Sequence, residues 1–76
     1  MTELVEYIVK SLVIDENSVK VTMTEEEDGN VIHVFVASED MGRIIGKGGK
    51  IAQSIRSIVK AATPREGKKT FVRFGE

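Results

Sequence analysis

The chain has 76 residues, 41% hydrophobic and 30% charged, with a net charge of −1 and no cysteine. A domain this small buries only about 60% of the surface that its unfolded chain exposes, so a thin core is expected, with no room for a deep substrate cavity. The missing cysteine removes disulfides, thiolate catalysis and cysteine-bound zinc. No apolar run approaches the roughly 20 residues that span a bilayer, and Glu3 and Glu6 stand where a signal peptide carries positive charge, so a cytoplasmic protein is expected.

Thr2 is placed to cap a first helix, in which Leu4, Val5, Ile8, Val9, Leu12 and Val13 form one apolar stripe. Asp15, Glu16 and Asn17 end it with turn-forming residues. From 18 to 24 the pattern changes to period two. Val19, Val21 and Met23 alternate with Lys20, Thr22 and Thr24, as in a half-buried strand. Asp28-Gly29 is a hairpin-turn signal, and the β-branched and aromatic run 31–36 predicts a second, more buried strand. Ser38 fits a helix N-cap, with Glu39 and Asp40 where the helix dipole favours acids. The helix it opens is short, from Met41 to Ile45, stopped by Gly46. A third helix runs from about Gly49 to Ala62 on the stripe Ala52, Ile55, Val59 and Ala62, with Ile51 and Ile58 beside it. Thr63-Pro64 closes that helix. After Glu66-Gly67 comes a last strand, 70–74. The expected order is α-β-β-α-α-β, a two-layer α+β domain with helices on one face of a three-stranded sheet.

The informative segment is Gly42-Arg43-Ile44-Ile45-Gly46-Lys47-Gly48-Gly49-Lys50-Ile51-Ala52. Glycines allow positive φ and close backbone approach. The loop also opens a helix, where N–H groups and the dipole favour an anion. Lys47 and Lys50 add formal charge at the same place, so a sugar-phosphate backbone suits the combination. Ile44-Ile45-Gly46-Lys47-Gly48-Gly49 resembles the I-G-x-x-G signature of KH domains, whose loop clamps the backbone of about four nucleotides. The element order looks like the type II, prokaryotic form of that fold. Over almost the whole chain, 1–76 as a single KH domain, the sequence is similar to the small stand-alone bacterial KH proteins of the KhpA (YlqC) family.

That resemblance implies a single-stranded-RNA-binding chaperone or post-transcriptional regulator. Its partners would be a second copy or a larger KH-containing RNA-binding protein, and it would need no cofactor, metal or membrane. It also implies a groove floored by Ile44, Ile45, residues of the third helix such as Ile51, and the edge of the adjoining sheet, and lined by Arg43, Lys47, Lys50, Arg56 and Lys60. Arg56 and Lys60, four apart, are expected to share one solvent face. Many KH domains carry isoleucine where this chain has Ala52, which makes a shallower base groove an expectation. With three Phe and one Tyr, no stacking platform is expected, and sequence preference should be weak.

Charge is segregated along the chain. Residues 1–40 hold ten acids and two bases, and residues 41–76 hold nine bases and two acids, giving −8 and +7. The first reading is a polyanion-attracting surface; the plainer alternative is two halves that neutralise each other in the fold. A P-loop is rejected, because Gly42 and Gly46 are one residue too close and Gly48 follows Lys47; a dinucleotide-binding G-x-G-x-x-G fails at Ile51. The remaining rivals are a helix-turn-helix DNA reader, with Lys50, Gln53, Ser54 and Ser57 facing a groove, and a scaffold or dimerisation module in which the glycines only connect helices. Catalysis is not expected. His33 is the lone histidine and lies mid-strand, and Glu25-Glu26-Glu27-Asp28 lacks EF-hand spacing and reads as a solvated hairpin tip.

Overall fold

The computed structural model describes residues 1–64 and 67–75. In chain order these form α1 (Thr2–Leu12), a 3-10 turn (Glu16–Ser18), β1 (Lys20–Glu26), β2 (Gly29–Phe35), α2 (Ser38–Ala62) and β3 (Lys69–Phe74). Within α2 the backbone leaves helical geometry at Gly46, Lys47, Gly48 and Gly49, so the element is two arms, 38–45 and 50–62. Counting the arms separately gives the order α-β-β-α-α-β that the sequence implies. Glu66, expected just before the last strand, lies outside the described residues, as do Arg65 and Glu76.

The sheet order is β1-β2-β3, with β2 antiparallel to β1 and parallel to β3. A parallel pair needs a long crossover, and α2 is that crossover. The register pairs Ile32 with Met23 and Val72, and Val34 with Val21 and Phe74, which puts these side chains on one face. There Ile32, Val34 and Val72 meet Val5 and Val9 of α1 and Ile55 and Val59 of the second arm of α2 in one core cluster. The fold is therefore α+β in two layers, helices on one face of a three-stranded sheet. Each fully buried Val or Ile contributes roughly 1.5–3 kcal/mol of transfer free energy, and the most buried strand is the central one, β2.

Several local expectations shift. Neither Thr2 nor Ser38 caps a helix; each is the first helical residue, preceded by Met1 and Ala37, which have no side-chain acceptor. Leu4 and Leu12 are exposed at 38% and 42%, and Ala62 is exposed too, because each helix buries only the row pointing at the sheet. The first strand starts later and runs further than expected. Glu25 and Glu26 pair with Asn30 and Gly29, so only Glu27 and Asp28 form the hairpin tip. Gly29 belongs to β2, at φ +153°, and a Cβ there would overlap the Lys69 carbonyl oxygen and crowd the Phe71 ring at 3.1 Å. The glycine serves the close approach of β3 rather than the turn.

Asp40 supplies the tie that the caps do not. It is 3% exposed, and its two carboxylate oxygens accept the backbone N–H groups of Ile14 and Asp15 at 3.0 Å each. The segment after α1 is thereby fastened to the first turn of α2. Those two bonds, helped by Arg43, hold the Asp40 carboxyl below the usual carboxylate range, against the opposing effect of burial.

Two outcomes follow from this packing. Gly29→Ala should lose about 2–3 kcal/mol of stability in a urea titration, because a backbone carbonyl cannot move aside cheaply. For Asp40 the folded pKa lies below the unfolded value of about 3.9, so its contribution is present above that pH and is lost as pH falls through the folded value. Asp40→Asn should melt below the wild type at pH 7 by circular dichroism, and the gap should narrow as the pH drops below the unfolded value. A constant gap would contradict the role given to the carboxylate.

Candidate nucleic-acid interface

The first arm of α2 runs into Gly46 at φ −64°, ψ 173°, and the chain then takes left-handed backbone three times in succession. Lys47 has φ 54° and ψ 44°, Gly48 72° and 15°, and Gly49 71° and 27°. Among the described residues Lys47 is the only non-glycine with positive φ. For an L-residue that conformation costs roughly 1–2 kcal/mol, and such cost is typically retained at binding sites. Nothing lies within 4 Å of where a Cβ would sit on Gly46, Gly48 or Gly49. The glycines are not packed against protein; they leave a bare strip of backbone open to solvent. The second arm begins at its end, with the first-turn N–H groups and positive dipole end of a helix.

Charge agrees with this geometry. Among the described residues, the ion pairs are Lys10–Glu6 at 2.9 Å, Arg43–Asp40 at 3.4 Å and Lys68–Glu25 at 3.7 Å. Lys47, Lys50 and Lys60 are exposed, and neither they nor Arg56 enter an ion pair among those residues. Only Lys68–Glu25 joins distant parts of the acidic and basic halves, and both partners are largely exposed. Among the described residues, the acidic half therefore forms no ion pair with the lysines of the turn and the second arm.

The expected site residues separate into groups. Arg43, Ile45, Gly46, Lys47, Gly48, Gly49 and Lys50 lie at or beside the turn. Ile45 is 53% exposed and lines a shallow cavity of about 490 Å³ with Phe35, Val36, Met41, Gly46 and Gly75. Ile44, expected in the groove floor beside it, is 2% exposed and points inward, since neighbours on a helix face about 100° apart. Ile51 is half-buried and packs on the core. Ala52 is buried as well, so its small size does not set the depth of a surface groove. Arg43 is drawn to the buried Asp40 carboxylate.

Arg56 and Lys60 are both exposed and both border a second cavity of about 490 Å³, between the second arm and the edge of β3. They do not share a simple solvent face, because Arg56 turns to the sheet and donates to the Val72 carbonyl at 3.2 Å. The sequence reading expected a groove at the third helix and the edge of the adjoining sheet, but not this cavity's walls, Pro64, Phe71 and Val72, or its rim, Lys68 and Lys69. The one signal available was the Lys68-Lys69 pair directly before a strand.

A β-α-turn-α-β unit with a left-handed glycine turn, extended at its N-terminus by a helix and a strand, defines a type II KH domain. The KhpA/KhpB KH-domain family profile matches residues 2–74. RNA-binding protein KhpA of Clostridium perfringens is 47% identical over 72 residues, covering 95% of this chain and 96% of the relative. The protein of the same name from Caldanaerobacter subterraneus is 46% identical over the same shares, and that of Borreliella burgdorferi 39% over 67 residues, 88% of this chain and 82% of the relative. The chain belongs to the KhpA/KhpB KH-domain family. No solved structure gives a significant match.

The backbone angles separate the three glycines experimentally. Gly46→Ala should leave stability within about 0.5 kcal/mol, because its angles suit any residue and the space is open. Gly48→Ala and Gly49→Ala should each cost about 1 kcal/mol or more through positive φ alone. Urea titrations of the three variants check this, and equal losses at all three positions would contradict the geometry.

Proposed function

We propose that this chain binds single-stranded RNA and acts as an RNA chaperone or post-transcriptional regulator rather than as an enzyme. The phosphates sit on the glycine turn between the arms of α2. The observation that carries this reading is the run of left-handed backbone from Lys47 to Gly49 with open space over each glycine. It lets a phosphate approach main-chain N–H groups that a side chain would otherwise shield. Lys47 and Lys50 supply charge there, Lys60 continues it along the second arm, and Ile45 offers an apolar surface to the bases. The names of the relatives, RNA-binding proteins KhpA, support the same assignment. The chain works as a single KH domain in the cytoplasm, as a homodimer or paired with a larger KH-containing partner. Ile58, 44% exposed on the second arm, and the open edge of β1 are the surfaces available for that pairing. A helix-turn-helix reading of duplex DNA is not favoured, since three left-handed residues make an open turn rather than a packed corner.

Titration of a short single-stranded RNA, followed by fluorescence anisotropy, tests the assignment. Lys47→Asp with Gly48→Asp places two acids against the phosphates and touches no core residue, and should weaken binding at least tenfold. The affinity should fall with salt at a log-log slope of about 0.7 per phosphate neutralised, and Lys60→Ala should flatten that slope by about 0.7. Undiminished binding by the folded double variant would leave the glycines as a connector, and tighter binding to duplex DNA of equal length would favour the DNA reading.

A further inference from the structure

Arg56 differs from the lysines of the site in being anchored. Its Nε donates to the Val72 carbonyl at 3.2 Å, and its Cζ lies 5.4 Å from the centroid of the Phe74 ring, within cation–π range. β3 is an edge strand, so the guanidinium is tethered at two points to the rim of the sheet. Arg56 is six residues beyond Lys50, about 9 Å further along the helix axis. RNA leaving the glycine turn along the second arm reaches this point.

Of the Arg56 guanidinium nitrogens, only Nε has an acceptor among the described residues. Arg56 itself borders the second cavity, whose walls include Pro64, Phe71 and Val72 and whose rim carries Lys60. The tether would serve a phosphate-binding arginine as well, but the apolar walls offer a phosphate nothing. A base-reading arginine gains from both, because the walls receive the face of a base and the tether pre-pays the ordering of the fork.

We propose that Arg56 reads guanine, giving the RNA site a preference for that base at one nucleotide position. This rests on the single-stranded-RNA reading above. Guanine presents O6 and N7 as two adjacent acceptors, which match a pair of N–H donors. On the corresponding edge adenine and cytosine present an amino group, and uracil a single carbonyl. Preference at this position is stronger than apolar and backbone contacts alone would give.

The test uses short oligouridine RNAs carrying one central guanine, adenine or cytosine, bound to the wild type, Arg56→Lys and Arg56→Met. The wild type should bind the guanine-containing RNA roughly 5- to 150-fold more tightly than the other two. Both variants should bring that ratio close to one, with Arg56→Lys showing that the fork, and not the charge, is responsible. Thermal melts confirm that the variants are folded. Equal binding of the three RNAs by the wild type, a preference for another base, or a guanine preference that survives in both variants overturns the assignment to Arg56 while leaving RNA binding intact. Failure of the wild type to bind any of the RNAs overturns the single-stranded-RNA reading, and this proposal with it.

Discussion

Left-handed backbone excludes most L-residues, yet Lys47, Gly48 and Gly49 adopt it in succession inside the crossover between two parallel strands. The crossover must carry the chain from one end of β2 back to the start of β3. A single uninterrupted helix of 25 residues would run about 37 Å, longer than the 22 and 19 Å of the molecule's two shorter dimensions. Breaking it into two arms lets Ile44 on the first and Ala52, Ile55 and Val59 on the second all reach the interior. The break then lies at the surface, with open space over its glycines. The requirement of the fold and the opportunity for binding coincide in the same four residues.

Electrostatics supports that division. The acids of the first half lie mostly on α1 and the hairpin, while the bases of the second half line the arms of α2 and the start of β3. Asp40, like Glu39 beside it, is an acid on the first arm, and it is occupied by the N–H groups of Ile14 and Asp15. It therefore braces the first arm from behind without presenting its charge to the turn. Exposed pairs such as Lys10–Glu6 contribute little to stability. The fold rests instead on the apolar cluster and on backbone geometry.

The element order and the core were legible in the sequence because periodicity reports burial directly. Val5 and Val9, Ile55 and Val59, and Ile32 and Val34 stand at helical or strand spacing and form the core. The glycine turn was legible because three glycines within four residues have few other uses. What escaped was set by neighbours distant in sequence. Gly29 reads as a turn residue, but Lys69 and Phe71 are what require it. Ile44 and Ile45 are identical as letters, and only the placement of the first arm decides which one is buried. Arg56 reads as one more surface cation, and its bond to Val72, sixteen residues away, depends on where β3 docks. The left-handed φ of Lys47 was equally hidden, since lysine carries no local preference for it.

The central claim is that the turn at residues 46–49 and the start of the second arm form the RNA-contacting surface. Nuclear magnetic resonance of the isotopically labelled chain, titrated with a short single-stranded RNA, tests it most directly. The account predicts that the largest amide shifts fall on Gly46 to Ile51 and continue along the second arm towards Arg56 and Lys60. Shifts confined to the uncovered sheet face, around Thr22, Thr24, His33 and Arg73, would contradict it and place the RNA on the opposite side of the molecule.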